Sequence, residues 1–392
     1  MNFVIYTALL FIFSFLTCNY LTPKIRALML SKNLAAQPNN RSSHDVPTPN
    51  LGGIAFYVVL MISFYFIASS KYFIANGGNE LYDPSNIIIA LIPGLTILFI
   101  VGLKDDILAL APLSKLLAQG LASVLFVYHY SKTINTLYGF MGIEDLSPIL
   151  AGAIAVFILV AVINAINLID GIDGLAASVS IIMFGAFGLA FYTINHIFLF
   201  SVCIVMIGTL LAYLRFNLSP TQKIFMGDTG SMILGFMLGV MAISFLSLDP
   251  ADLAKLPIRG ENLPIVTGAI LIIPFFDTVR VFLIRIFRKQ NPFKPDRSHI
   301  HHIIIDKFNI SHRKASFVLG VSNFLVIILI SFLAITTSNW ILLMLFVSLL
   351  LVVSLFFFII NKSGWFLKIK NRNSRKQNSN SASAPNSAST SI

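Results

Sequence analysis

The chain has 392 residues, 57% hydrophobic and 11% charged, with a formal net charge of +11. Long apolar runs recur along it, which excludes an ordinary soluble domain and points to a polytopic helical membrane protein. Its two cysteines, Cys18 and Cys203, both lie in apolar stretches, so no disulfide framework is implied.

Transmembrane segments are predicted at 3–22, 51–69, 87–103, 115–130, 149–164, 175–191, 197–214, 232–248, 263–284, 315–336 and 340–360, each near the length a bilayer core requires. The first has no basic start before it and no small-residue cleavage pattern after it, so it reads as a crossing and not a leader. The expected fold class is all-α, a transmembrane bundle of about 11 helices over residues 1–361, followed by a disordered basic and polar tail at 362–392. All but four of the 27 Lys and Arg residues fall on one side of such a bundle; Lys71, Lys132, Lys255 and Arg259 are the exceptions. That bias puts the N-terminus outside and the C-terminus in the cytoplasm. The basic charge then reports topology and an attraction for anionic headgroups and phosphorylated ligands, with no need for nucleic acid.

The outward loops, 75–86 and 249–262, read as turn-rich connectors whose carboxylates are solvated. The inward loops are different. The first runs Asn40-Arg41-Ser42-Ser43-His44-Asp45-Val46-Pro47-Thr48-Pro49-Asn50-Leu51-Gly52-Gly53. Its prolines impose an extended entry, and its glycines allow close packing or a ligand's approach. Asp105 and Asp106 follow Gly102-Leu103-Lys104 at the inner end of the third segment. Neighbours on a helix do not share a face, so two separate jobs are expected, one towards a metal and one towards a substrate proton.

The densest polar stretch is Asn164-Ala165-Ile166-Asn167-Leu168-Ile169-Asp170-Gly171-Ile172-Asp173-Gly174-Leu175. Asp170 and Asp173 share a face if either flanking helix continues through them, a usual arrangement for a divalent cation or a hydrogen-bonded substrate; plain capping of two helix ends is the other reading. Next comes Lys223-Ile224-Phe225-Met226-Gly227-Asp228-Thr229-Gly230-Ser231, a carboxylate between glycines at a helix start, suited to a cation with amides facing phosphate or to an ordinary N-cap. The last inward loop holds Lys294, Arg297, His299, His301 and His302, followed by Ser311-His312-Arg313-Lys314. Without nearby cysteines or a His-Glu pairing, these imidazoles suit a diphosphate better than zinc.

Every concentrated polar feature but the tail falls on one face, at helix ends. A transporter would place its charges near mid-membrane, whereas carboxylates with cationic side chains at one surface are the parts of magnesium-assisted phosphoryl transfer. On Pro47-Thr48-Pro49 with Gly52-Gly53, Asp105-Asp106, Asn164 to Gly174, Phe225 to Ser231 and Pro292 to His302, the chain resembles the polyprenyl-phosphate N-acetylhexosamine-1-phosphate transferase family (glycosyltransferase family 4) over most of residues 1–360.

The resemblance implies transfer of N-acetylhexosamine 1-phosphate, with N-acetylglucosamine the favoured sugar, from its UDP-sugar to undecaprenyl phosphate. UMP is released and cell-envelope polysaccharide synthesis begins. It implies Asp105 as the candidate base beside the lipid phosphate, Asp106 supporting it and the metal site, and Asp228 as principal magnesium ligand. Asn167, Asp170 and Asp173 would line the nucleotide-sugar pocket, and His301 and His302 would lie near the diphosphate; His44, Asn164, Asn217, Lys294, Arg297 and His299 complete the expected substrate-binding set. Mg2+ is the implied cofactor, Mn2+ its substitute, and the expected place is a bacterial cytoplasmic (inner) membrane, with the site facing the cytoplasm and homodimerisation left open. Three departures stand out: Asn50 where a basic residue is common, Leu218 where an asparagine is usual with Asn217 one further back, and Ala109 where the peptidoglycan branch is basic. The last favours the N-acetylglucosamine branch over a muramoyl-pentapeptide transferase; a lipid-linked sugar transporter and a structural membrane protein are the competing readings.

Overall fold

The computed structural model describes residues 3–32, 34, 48–69, 84–130, 134–287, 289 and 299–362. His44, Lys294, Arg297 and the tail beyond Lys362 lie outside the described residues. The helices in order are α1 (Phe3–Ser31), α2 (Gly53–Ala68), α3 (Pro84–Leu108), α4 (Pro112–His129), α5 (Pro148–Ile169), α6 (Leu175–Thr193), α7 (Ile197–Asn217), α8 (Gly227–Leu246), the short α9 (Pro250–Leu253), α10 (Leu263–Ile270), α11 (Ile272–Phe287), α12 (Ile300–Phe308), α13 (His312–Thr336) and α14 (Asn339–Lys362). Among the described residues eight of them, α1, α3, α5, α6, α7, α8, α13 and α14, are long and apolar enough to cross a membrane.

The bundle is built around α8. Every residue from Thr229 to Leu246 is buried, although the helix is hydrophobic all round like its neighbours. Small residues permit this position: a side chain on Gly235 would reach within 2.6 Å of Ile163 Cα, so α5 lies almost backbone to backbone against α8. Helices α2, α3, α6 and α10 also pack on it, and α4 and α7 touch it through Phe126 on Phe236 and Cys203 on Met241. At the periphery, α14 leaves nearly all of its apolar surface facing outward, as a lipid-facing helix does.

The segment predicted at 263–284 is broken. Leu271 leaves helical geometry at φ −91°, ψ 14°, and the ring of Pro274 has no amide for the Ile270 carbonyl and clashes with it. Asn323 of α13, fully buried, donates to that carbonyl at 3.5 Å. The break lets α11 set off in a new direction and carry Asp277 to the site described below.

Two features at the end of the bundle away from Asp228 depart from expectation. Thr136–Phe140 (β1) and Ile143–Asp145 (β2) form an antiparallel hairpin, with Thr136 opposite Asp145 and Phe140 opposite Ile143. Met141 (φ 55°) and Gly142 (φ 80°) supply the two left-handed residues of a tight hairpin turn. The all-α expectation describes the bundle and omits this hairpin. Asp252, expected to be solvated, is buried between His196 Nε2 at 2.7 Å and Lys255 Nζ at 2.8 Å. Burial pushes its carboxyl up, but the Lys255 hydrogen bond and the His196 charge outweigh that and hold it below the usual range.

Candidate active site

The site grows from the N-terminus of α8. Gly227 sits at φ 71°, with the Asn50 carbonyl 2.0 Å and the Asp106 carboxylate 2.5 Å from where a Cβ would stand, so only glycine fits. The stretch around Pro49 pairs with it through backbone hydrogen bonds, Phe225 N to Pro49 O at 2.8 Å, and Gly52 N to Phe225 O and Gly53 N to Met226 O at 2.9 Å each. The glycines of the first inward loop therefore serve close packing. Asp106 reaches across from α3 and caps α8: Oδ1 accepts from Asp228 N at 2.8 Å, and Oδ2 from Thr229 N at 3.0 Å and Thr229 Oγ1 at 2.6 Å. Asn50 Nδ2 donates to Oδ1 at 3.4 Å. Four donors fill the carboxylate. Asp106, expected beside the metal, thus spends its oxygens on the helix that carries Asp228.

Asp105 turns the other way. Its Oδ1 accepts from Leu110 N at 2.6 Å and its Oδ2 from Lys115 Nζ at 2.7 Å. The same ammonium lies 3.1 Å from Asp228 Oδ2, so Lys115 of α4 bridges two carboxylates that would otherwise repel. Asn167 of α5 donates to Asp228 Oδ1 and, at 2.8 Å, to Ser231 Oγ. One turn earlier, Asn164 donates to Gln119 Oε1 at 2.6 Å and joins α5 to α4, a packing contact between helices.

Helix α5 stops at Ile169, so Asp170 and Asp173 lie on a turn and do not share a helical face; the left-handed Gly174 (φ 78°) starts α6. The two carboxylates diverge. Asp173 Oδ2 takes Lys223 Nζ at 2.7 Å and has His312 Nδ1 at 3.5 Å. Burial pushes Asp173 up, yet hydrogen bonds from His312 and Lys223 hold it below the usual carboxylate range. Asp170 has no hydrogen-bond donor among the described residues. Burial first, then the charges of Asp228, Asp106 and Asp173, push it well above that range. Asn217, expected in the substrate pocket, is buried and stitches two loops together: Oδ1 accepts from Gly174 N at 2.6 Å, while Nδ2 donates to Ile224 O at 3.0 Å and Tyr213 Oη at 2.9 Å.

The histidines close the site over this turn. Nε2 of His301 lies 2.8 Å from where a Cβ on Gly171 would stand, and the His302 ring packs 4.4 Å from that of His301. Behind them Asp277 is buried against His299 Nδ1 at 3.2 Å and His301 Nδ1 at 3.3 Å.

Among the described residues no three His, Cys, Asp or Glu side chains form a finished metal cage. Magnesium does not require one, because it binds through one or two carboxylates and takes its other oxygens from water and substrate phosphates. Asp170 without a donor, beside Asp228 and in an excess of negative charge, is a set of hard oxygens that fits such a cation.

The sequence model of glycosyl transferase family 4 matches residues 88–246. A probable undecaprenyl-phosphate N-acetylglucosaminyl 1-phosphate transferase of Bacillus subtilis (strain 168) is 30% identical over 315 residues, covering 80% of this chain and 81% of that protein. The chain belongs to glycosyl transferase family 4. Two further relatives are similar: the undecaprenyl-phosphate alpha-N-acetylglucosaminyl 1-phosphate transferase of Escherichia coli (strain K12), 27% identical over 69% of both chains, and the decaprenyl-phosphate N-acetylglucosaminephosphotransferase of Mycolicibacterium smegmatis, 28% identical over 76% of this chain and 74% of that one.

The family 4 match spans Asp105 to Asp228 and leaves the loop before Gly53 and the histidine motif outside it. Two residues of this family 4 site escaped the reading of the sequence. Lys115 counted there only as one of the inward-facing cations. Asp277 is the one acid inside the apolar run 263–284, and that placement was itself a signal, since an ionisable residue within a membrane segment is costly unless it has a task.

Proposed function

We propose that this chain transfers N-acetylglucosamine 1-phosphate from UDP-N-acetylglucosamine to undecaprenyl phosphate, releasing UMP. The observation that carries this reading is the gathering of Asp228, Asp105, Asp170 and Lys115 at the exposed end of a buried helix, in a chain whose relatives bear names for this transfer. An oxygen of the lipid phosphate attacks the phosphorus that carries the sugar. The bond from that phosphorus to the bridging oxygen breaks, and UMP leaves with the bridging oxygen. A phosphate monoester loses its second proton near a pKa of about 6, so the nucleophile needs orientation more than a base.

Asp105, held by Lys115 and the Leu110 amide, orients that lysine, whose charge faces the phosphate oxygens. Asn167 fixes the Asp228 carboxylate. Mg2+, or Mn2+ in its place, held by Asp228 with Asp170 beside it, would supply charge neutralisation at the reacting phosphates. His301 and His302 face the donor's diphosphate, with Lys294 and Arg297 from the same loop.

The topology that goes with this reading has 11 crossings, with α10 and α11 together making one, in a bacterial cytoplasmic membrane. Cysteines introduced at Asn291 and Ser374 should be shielded from an impermeant thiol reagent in intact cells and one at Asn79 labelled; the reverse pattern overturns the orientation. The activity itself is tested by giving the purified protein Mg2+, undecaprenyl phosphate and a panel of UDP-sugars. UMP release with the N-acetylglucosamine donor is expected, and release only with the muramoyl-pentapeptide donor would replace the substrate named here.

A further inference from the structure

Asp277 belongs to none of the signatures that mark the site, and it is 2% exposed in a helix that is otherwise largely apolar. A carboxylate buried there requires partners of matching charge and geometry. Among the described residues it has three, all from the short stretch 299–301. Oδ1 accepts from the backbone amide of Ile300 at 2.8 Å, the first residue of α12, so Asp277 caps that helix from outside. Oδ2 is hydrogen-bonded to His299 Nδ1 at 3.2 Å and makes a close contact of 3.3 Å with His301 Nδ1, at an angle outside hydrogen-bond geometry. The two rings stack with centroids 5.6 Å apart and planes 15° from parallel. Arg280, one turn on along α11, is the nearby cation.

The consequence lies on the other edge of the ring. A carboxylate that holds Nδ1 fixes both the rotation of an imidazole and the nitrogen left for a ligand. With Nδ1 of His301 turned to Asp277, its Nε2 is presented at the Asp170–Gly171 turn, 2.8 Å from where a Gly171 Cβ would be. We infer that Asp277 is a positioning residue for donor use: it orients His299 and His301 and seats the start of α12, so that Nε2 of His301 meets the donor's diphosphate. The inference rests on the functional reading above for the identity of that ligand. It does not rest on it for the orientation of the rings.

The test uses the full-length protein, with Asp277→Asn as the near-isosteric change. In protein labelled with 15N at histidine, the Nδ1 resonances of His299 and His301, assigned by their own substitution, should move in the variant. Kinetics with donor and lipid varied separately should show donor kcat/KM lowered by about tenfold to a hundredfold and the acceptor's KM little changed. Combined with His301→Ala, Asp277→Asn should add almost nothing, because both remove one function. Asp277→Glu, which keeps the charge but displaces it, should show a smaller loss with the same lack of additivity, and serves if the Asn variant does not survive purification. Unmoved histidine resonances, or losses that multiply in the double variant, would overturn the inference. Absence of UMP from the unmodified protein would instead remove the functional reading, while the histidine spectra still judge the orientation.

Discussion

Asp228→Asn should lower turnover by about a thousandfold and leave the bundle assembled. The carboxylate sits in the first turn of α8, 26% exposed, with Lys115 on one oxygen and Asn167 on the other. An amide keeps the size and part of the hydrogen bonding but removes the charge that holds Lys115 between two acids and that a divalent cation would bind. The burial that stabilises α8 begins at Thr229 and is untouched. Steady-state UMP release at saturating Mg2+, read beside thermal unfolding in detergent, separates the two effects. Near-normal turnover would sink the assignment of Asp228 to the reacting centre.

Asp106→Ala should behave differently, lowering both stability and activity. Asp106 answers two backbone amides and the Thr229 hydroxyl at the head of a buried helix, with Asn50 as a fourth donor. Removing it strands those donors at a cost of about 1–3 kcal/mol. It also frees the turn that carries Asp228, and a displacement of that kind costs about a hundredfold in rate. The paired measurement is again unfolding and turnover, with Asp106→Asn expected to fall between the two, since its one remaining oxygen still accepts. An Asp106→Ala protein of normal stability and reduced rate would move Asp106 from the cap into the chemistry.

The contrast between these neighbours shows what could be read from the sequence. The expectation that Asp105 and Asp106 have separate tasks follows from helical geometry alone. Which task belongs to which residue does not, because the decision is made by Leu110, Lys115 and Thr229, whose approach depends on how α3, α4 and α8 pack. Helix positions were legible because long apolar runs carry their own signal. The break at Leu271 was missed within a run that looks continuous, although Pro274 marked it. The hairpin at 136–145 was missed because five and three residues are too few to show an alternating pattern. Asp170 and Asp173 share a face only if a helix continues through them; the chain turns after Ile169, and each carboxylate finds its own surroundings. Asn217 and Asn164 have the residue type of ligand contacts; Asn217 is buried, Asn164 half-buried, and the hydrogen bonds found for both are to other parts of the protein.

The central claim, that this site moves a sugar together with its phosphate, is tested most directly by following the phosphorus. UDP-N-acetylglucosamine labelled with 32P at the sugar-bearing phosphate, incubated with the purified protein, Mg2+ and undecaprenyl phosphate, should transfer label into the lipid in equal amount to the UMP formed. Label left in the aqueous phase as UDP while the sugar enters the lipid would mean transfer of the sugar alone and would contradict the account.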